Sequence, residues 1–287
     1  MITALNIEDY SREGIAALLN LFRHNRIRAR HMYCDTAAVK SLCYERYRGK
    51  VSWAAIDRFV GAQRRQVLCA ETLELPPESG LKRFESPALS RRMCENAAVA
   101  LLRSNDRRDI RVALVDSSGE SAQLCESLSD FADPLYVVTD AADVYIAQAE
   151  YLLSEKGAAL RVSRSSGCLR YADLIIAPAR IQSDLDCSSD AVILSGELPD
   201  VRQNAPVVYE YFFELPKKYQ DIKPPYLDDM YFASALYALA GARELGSELF
   251  TRCGDGSIIH TRMSLTETLT SRCEKQDQTH NDTHDQS

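Results

Sequence analysis

The rhythm of hydrophobic and polar positions changes about a third of the way along the chain. Before that point the periodicity is helical. "SREGIAALLNLFRHNRI" places Ile15, Leu18, Leu19 and Phe22 at i, i+3, i+4 and i+7, one face of a helix, with Ser11 as its N-cap. "MITALNI" ahead of it predicts a short strand, and "VSWAAIDRFVGAQRRQVL" predicts a second helix with Trp53, Ile56 and Val60 on one side. The Pro-Pro and Ser-Gly of "LELPPESG" then interrupt any regular element. "ESPALSRRMCENAAVALLRS" predicts a third helix, with Ser86 as N-cap, Pro87 at the first helical position, and Leu89, Met93, Ala97 and Leu101 in a stripe.

From residue 109 short, nearly continuous apolar runs alternate with helical patterns. "IRVALVD", "PLYVVTD", "AALRVSRS", "ADLIIAPARI" and "DAVILSGEL" predict strands, and "SAQLCESLSDF" and "DVYIAQAEYLLSEKG" predict helices. Only "SGCLRY" separates the third strand from the fourth, enough for a turn or a short helix. Runs apolar on both sides belong to strands buried on both faces of a parallel sheet. "APVVYEYFFELP" is a sixth strand candidate at an edge, "LDDMYFASALYALAGARELG" a helix capped by Asp228 or Asp229, and "GSIIHTRMSL" a last short strand. The expected fold class is α/β: a Rossmann-like, mostly parallel sheet with flanking helices, plus an N-terminal α/β region. The boundaries this implies are a basic N-terminal α/β region at 1–85, a Rossmann-like domain at 86–215, a C-terminal helix and short strand packing back at 216–270, and a disordered polar tail at 271–287.

Composition adds to this picture in four places. A chain of 287 residues buries roughly three quarters of its unfolded surface, so a substantial core is expected. The longest uncharged stretch, Met230 to Ala242, falls short of the about 20 residues a membrane-spanning helix needs, and Glu8, Asp9, Arg12 and Glu13 rule out a signal-peptide core, so the expectation is a soluble cytoplasmic protein with no membrane partner. The nine cysteines are odd in number and widely spaced with no Cys-x-x-Cys, as for reduced thiols used as small core residues. The net charge of −7 is uneven: residues 1–108 hold 19 Lys+Arg against 12 Asp+Glu, and residues 109–287 hold 15 against 29.

The candidate chemistry gathers after the first strand of the alternating region. A dinucleotide-binding unit carries G-x-G-x-x-G there, so that the backbone approaches the pyrophosphate at a helix N-terminus. Here the run is Asp116-Ser117-Ser118-Gly119-Glu120-Ser121, with one glycine and two carboxylates. Asp140 ends the second strand, 24 residues after Asp116, where such folds hold the ribose hydroxyls. The candidate cofactor-binding residues are therefore Asp116, Ser117, Ser118, Gly119 and Asp140, with Arg164 a further residue at a strand end. NAD(P) is the cofactor this pattern suggests, without fixing it. The strand order over residues 109–200 resembles that of the C-terminal half of shikimate-dehydrogenase-like and related Rossmann proteins, without their glycine motif; the resemblance implies fold and not activity.

Elsewhere, "RHNRIRARH" makes Arg26, Arg28 and Arg30 a candidate anion-binding set, whether for a small anionic ligand, nucleic acid or an acidic partner; the acidic whole-chain balance disfavours nucleic acid. Tyr219 and Lys223 have the Tyr-x-x-x-Lys spacing of short-chain dehydrogenases, but Pro224 follows at once and opposes a helix. His31, Cys34 and Cys43 lack the spacing of a zinc site, so no metal is expected. No nucleophile elbow or P-loop occurs, and no catalytic set can be named. Three readings remain: a binding or regulatory module for an anionic small molecule or nucleotide with a degenerate dinucleotide loop, an NAD(P)-dependent oxidoreductase with an atypical loop, and an interaction protein using the basic N-terminal region. If Asp116 and Glu120 fill the anion position, the oxidoreductase reading loses its site.

Overall fold

A computed structural model gives the fold, and describes residues 1–10, 22–35, 37–105, 109–212, 214–241, 245, 252–261 and 263–271. The stripe expected for residues 11–27 lies outside these up to Leu21; its last member, Phe22, is described and exposed. The tail beyond Ser271 also lies outside them.

The chain divides into two compact units, 1–89 with 214–246, and 90–213 with 247–287. In the first, β1 (Ile2–Asp9), β2 (Arg26–Cys34), β3 (Ala37–Arg46) and β4 (Val67–Cys69) form a sheet in the order β2-β3-β1-β4. β1 runs parallel to β3 and β4, and β2 antiparallel to β3 at the edge. Helix α1 (Trp53–Val60) places Ile56 and Val60 in a core with Leu5, Leu42, Tyr44, Val67 and Leu81. Two expectations are corrected here. The helix expected over 11–27 does not include Arg26 and Ile27: they open β2, "RIRARHMYC", which pairs along its whole length with β3. The helix expected over 51–68 stops at Val60, and "VLC" becomes β4, which pairs with β1 and is buried at every position.

The second unit begins in helix α2 (Ala88–Ser104), where Ser86 Oγ accepts the Ala88 N–H at 3.3 Å as the cap expected of it. Six parallel strands follow: β5 (Val112–Val115), β6 (Leu135–Val138), β7 (Leu160–Ser163), β8 (Leu174–Ala177), β9 (Val192–Ser195) and β10 (Val207–Val208). Their spatial order is β10-β9-β8-β5-β6-β7. Counted from β5, this is the 3-2-1-4-5-6 order of dinucleotide-binding folds. Helices α3 (Leu124–Leu128) and α4 (Ala142–Lys156) make the first two crossovers. Right-handed crossovers place them on one face. The other face, Ala113, Val115, Tyr136, Val138, Ile175, Ala177 and Ile193, packs against Leu169, Ile181, Leu185 and Ala205 of the connecting segments. The unit is a Rossmann-like α/β fold with one face covered by helices and the other by loops and a 3₁₀ turn at Ser166–Tyr171.

The sixth strand candidate splits in two. Val207–Val208 closes the parallel sheet as β10, and β11 (Glu210–Phe212) turns into a separate antiparallel sheet with β12 (Arg252–Gly254) and β13 (Ile259–Thr261). Tyr211 anchors the change, its hydroxyl donating to Ser195 O at 2.9 Å. Helices α5 (Lys217–Gln220) and α6 (Asp229–Leu239) belong to the first unit, where Tyr231 and Ser234 hydroxyls donate to Phe84 O and Ser86 O. Asp228 caps α6 by accepting from the Met230 and Tyr231 N–H groups. A last helix spans 263–271. Among the described residues the eight cysteines are free thiols, and no helix is long and apolar enough to cross a membrane.

Candidate functional site

Open parallel sheets bind ligands beyond the carboxyl ends of their strands, where the strand order reverses. Here that point lies between β5 and β8. The sequence there must turn from the buried strand β5 into α3, and it does so around a carboxylate. Asp116 is 2 % exposed. Its Oδ1 accepts from the Ser118 N–H at 3.1 Å and the Ser118 hydroxyl at 2.9 Å; its Oδ2 accepts from the Ser121 N–H at 2.8 Å and the Tyr145 hydroxyl at 2.7 Å. Burial alone pushes this carboxyl up. The four donors outweigh it and hold the group below its usual range. Burial and the adjacent charge push the Tyr145 phenol up, so it stays a donor.

The loop N–H groups that a diphosphate would use are thus turned inward onto a carboxylate of the loop itself. Glu120 takes no part: its carboxylate pairs with Arg91 at 3.1 Å. Of the two carboxylates, Asp116 alone accepts the loop N–H groups. Gly119 is also committed. It sits at φ +81°, and a Cβ there would lie 3.1 Å from Ala141 Cβ and 3.3 Å from Val144 Cγ2. Its lack of a side chain lets the loop close onto the start of α4, a packing role distinct from close approach to a ligand.

Asp140 is exposed beyond the end of β6. It does not cap α4, whose N-terminus has no side-chain cap; Thr139 Oγ1 instead accepts the Ala141 N–H at 3.0 Å. Asp140 lines, with Ser117 and Ser118, a cleft of about 500 Å³ whose other wall carries Arg91, Arg180 and Gln182. Arg164 is exposed after β7 and does not line it.

The arginine wall has no counterpart in the sequence reading. Arg91 binds Glu197 Oε1 through two nitrogens at 3.1 and 2.9 Å, and Arg180 reaches Glu197 Oε2 at 3.3 Å and Asp200 at 3.4 Å. Glu197 follows β9 and is placed by Ser195, whose buried hydroxyl donates to Glu197 O at 2.7 Å. Gly196 lets α2 come this close, because a Cβ there would fall 2.0 Å from Pro178 O and 2.9 Å from Arg91 Cα. An Arg in a helix and a Glu after a strand are ordinary surface residues in sequence; the packing of α2 brings Arg91 to Glu197, and Arg180 reaches the same carboxylate from the segment after β8. A larger groove of about 980 Å³ lies elsewhere, on the surface of α2, α3 and α4, between Arg92, Asn96, Arg103, Gln148 and Tyr151.

The second candidate set lies in the first unit. Arg26, Arg28 and Arg30 alternate along β2 and so share one face of the sheet. Arg26 and Arg28 both pair with Glu45, Arg28 Nε at 2.6 Å from Oε1. Glu45 is 3 % exposed. Burial raises its carboxyl, but the Arg26 and Tyr47 hydrogen bonds and the Arg28 charge bring it below its usual range. Tyr219 is buried and Lys223 pairs with Asp229 at 2.6 Å, so the Tyr-x-x-x-Lys spacing forms no site. His31 lies on the opposite face of the sheet from Cys34 and from Cys43, which is in register with Arg28. Among the described residues no three His, Cys, Asp or Glu side chains converge as a metal would require.

No protein-family model matches the sequence, and no curated protein matches it. Among solved structures, a Thermococcus litoralis Δ1-pyrroline-2-carboxylate reductase in complex with NADH and L-proline aligns at 12 % identity and TM-score 0.30, over 38 % of this chain and 36 % of that one. An archaeal alanine dehydrogenase dimer with bound NAD aligns at 14 % and 0.29, over 41 % and 39 %. The chain thus spans well under half the length of either. L-tryptophan dehydrogenase from Nostoc punctiforme aligns at 13 % and 0.32, over 96 % and 88 %.

Proposed function

We propose that the protein is a Rossmann-like binding or regulatory module for an anionic small molecule or nucleotide, which it holds at the β5/β8 cleft through Arg91 and Arg180. The observation that carries this reading is the occupation of the loop by Asp116. With its N–H groups spent, the loop offers a diphosphate little, and a buried carboxylate sits where phosphate charge would come. The cleft's cations lie on its other wall. Glu197 holds both guanidiniums in place; an incoming anion would compete with their second and more exposed carboxylates, Glu120 on Arg91 and Asp200 on Arg180.

An active NAD(P)-dependent oxidoreductase is the second reading. It is favoured by the 3-2-1-4-5-6 strand order and by Asp140, exposed on the cleft beside Ser117 and Ser118. Thermal unfolding with NAD⁺, NADH, NADP⁺, NADPH, ATP and S-adenosylmethionine separates the two. A ligand at about 100 times its dissociation constant adds about 2.7 kcal/mol, a shift of several degrees for a unit of this size. On the first reading ATP or another mononucleotide shifts the transition, and Arg91→Ala with Arg180→Ala abolishes the shift. A shift with one dinucleotide alone, lost in Asp140→Ala and kept in the arginine variants, moves the assignment to the oxidoreductase.

A further inference from the structure

The first unit carries a separate concentration of charge. Between residues 23 and 50, eight Lys and Arg stand against two Asp and Glu, in a chain whose net charge is −7. The β2–β3 hairpin holds most of them, and β2 is its open edge, exposed or half-exposed at every position. A strand advances about 3.4 Å per residue, so Arg26, Arg28 and Arg30 form a row of cations about 7 Å apart on one face. Arg26 and Arg28 are 52 % and 61 % exposed while Glu45 orients them from beneath; Arg30 forms no ion pair among the described residues.

Aromatic rings border the same end of the hairpin. Tyr10 stacks on Tyr47 with ring centroids 5.1 Å apart, Arg23 lies over the Tyr47 ring at 5.5 Å, and Tyr10 is 43 % exposed. Asn25 closes this end by accepting from the Tyr47 and Arg48 N–H groups, which fixes Arg23 and Arg48 beside the row. Cations in a line with an exposed aromatic platform at its end suit a flexible chain of phosphates bearing flat bases.

We propose that this basic edge binds single-stranded nucleic acid, with phosphates on Arg23, Arg28 and Arg30 and a base stacked on the exposed Tyr10 ring, which the buried Tyr47 backs. Charge that is dilute when averaged over the whole chain is dense here, and the stacked rings distinguish the surface from a merely solvated one. The proposal rests on the first unit and is independent of the cleft.

The test is fluorescence anisotropy of the full chain with a labelled oligouridine of about 20 nucleotides, repeated at several salt concentrations. Binding is expected to weaken with salt, and Arg28→Ala/Arg30→Ala to lower the log–log slope by about 1.4, at about 0.7 per phosphate contact. Arg28→Lys/Arg30→Lys restores the slope. Tyr10→Ala, its fold checked by circular dichroism, weakens binding about 5- to 150-fold, as for loss of one stacked base. No binding at 50 mM salt, or an unchanged slope in the folded double-alanine variant, overturns the proposal. So does equal binding of heparin with no effect of Tyr10→Ala, which would assign the edge to an acidic protein partner.

Discussion

Asp116 and Glu45 are carboxylates in different units that do one thing: each gathers hydrogen-bond donors around a buried negative charge. They do it under opposite conditions. Asp116 is buried and is held by backbone N–H groups and hydroxyls that cannot leave without opening the turn. Glu45 is equally buried, but two of its partners are arginines more than half exposed to solvent. An internal anion held by backbone closes a site, whereas one held by mobile side chains keeps a site ordered until a ligand competes. Charge pattern alone does not separate these cases; the identity and exposure of the donors do.

The comparison breaks most visibly at Asp116. Asp116→Ala leaves the Ser118 and Ser121 N–H groups and the Tyr145 hydroxyl without their acceptor. Hydrogen bonds to a charged group contribute about 1.5–3 kcal/mol each. A loss of about 3 kcal/mol or more is expected, a fall in Tm of about 6–12 °C by calorimetry. An unchanged Tm would mean the loop does not depend on its carboxylate.

Acid separates the two next. Both carboxyls sit below their ordinary values, so the folded state binds fewer protons than the unfolded one in acid. Their stabilisation is complete above the usual carboxylate range, about pH 4, and is lost as pH falls through the depressed values. Asp116→Asn is expected to flatten the fall in Tm below about pH 5 more than Glu45→Gln does; the reverse order would invert the assignment of the stronger site.

Gly119→Ala tests the loop without touching its charge. A left-handed residue with a side chain costs about 1–2 kcal/mol, and the contact with Ala141 must also yield. A fall in Tm of about 2–8 °C follows. Glu45→Gln has the smallest effect, about 1 kcal/mol or less, because its ion pairs reach into solvent. It is expected to release Arg26 and Arg28, so that affinity for oligouridine rises while Tm barely moves. A fall in affinity would make Glu45 an organiser that the arginines require.

The fold of the second unit was legible because its strands are apolar on both faces and its helices are signalled at their ends, as with Ser86 before α2 and Gly157 after α4. The first unit was harder. β2 alternates Arg with smaller residues, a period of two that the charge concealed, and the strand exists because β3 pairs with it along nine positions. Residues 207–212 read as one strand because nothing local marks the change of sheet; Tyr211 makes it by reaching Ser195. At the site, the position of Asp116, Ser118 and Asp140 could be read from where β5 and β6 end. The direction of the Asp116 carboxylate could not, since it depends on Tyr145, 29 residues on. Arg91, Arg180 and Glu197 were out of reach because they come from α2 and from beyond β8 and β9, which only the tertiary fold brings together.

Gly196 touches no ligand, carries no charge and has no side chain, yet the backbone of Pro178 occupies the space where one would begin. In a scan of every substitution along the chain it would rank among the least tolerant positions, and its neighbours Arg91 and Glu197 would share part of that sensitivity. A map of mutational intolerance would therefore point at the cleft whether or not anything binds there, and only variants scored for ligand as well as for abundance would tell the two pressures apart.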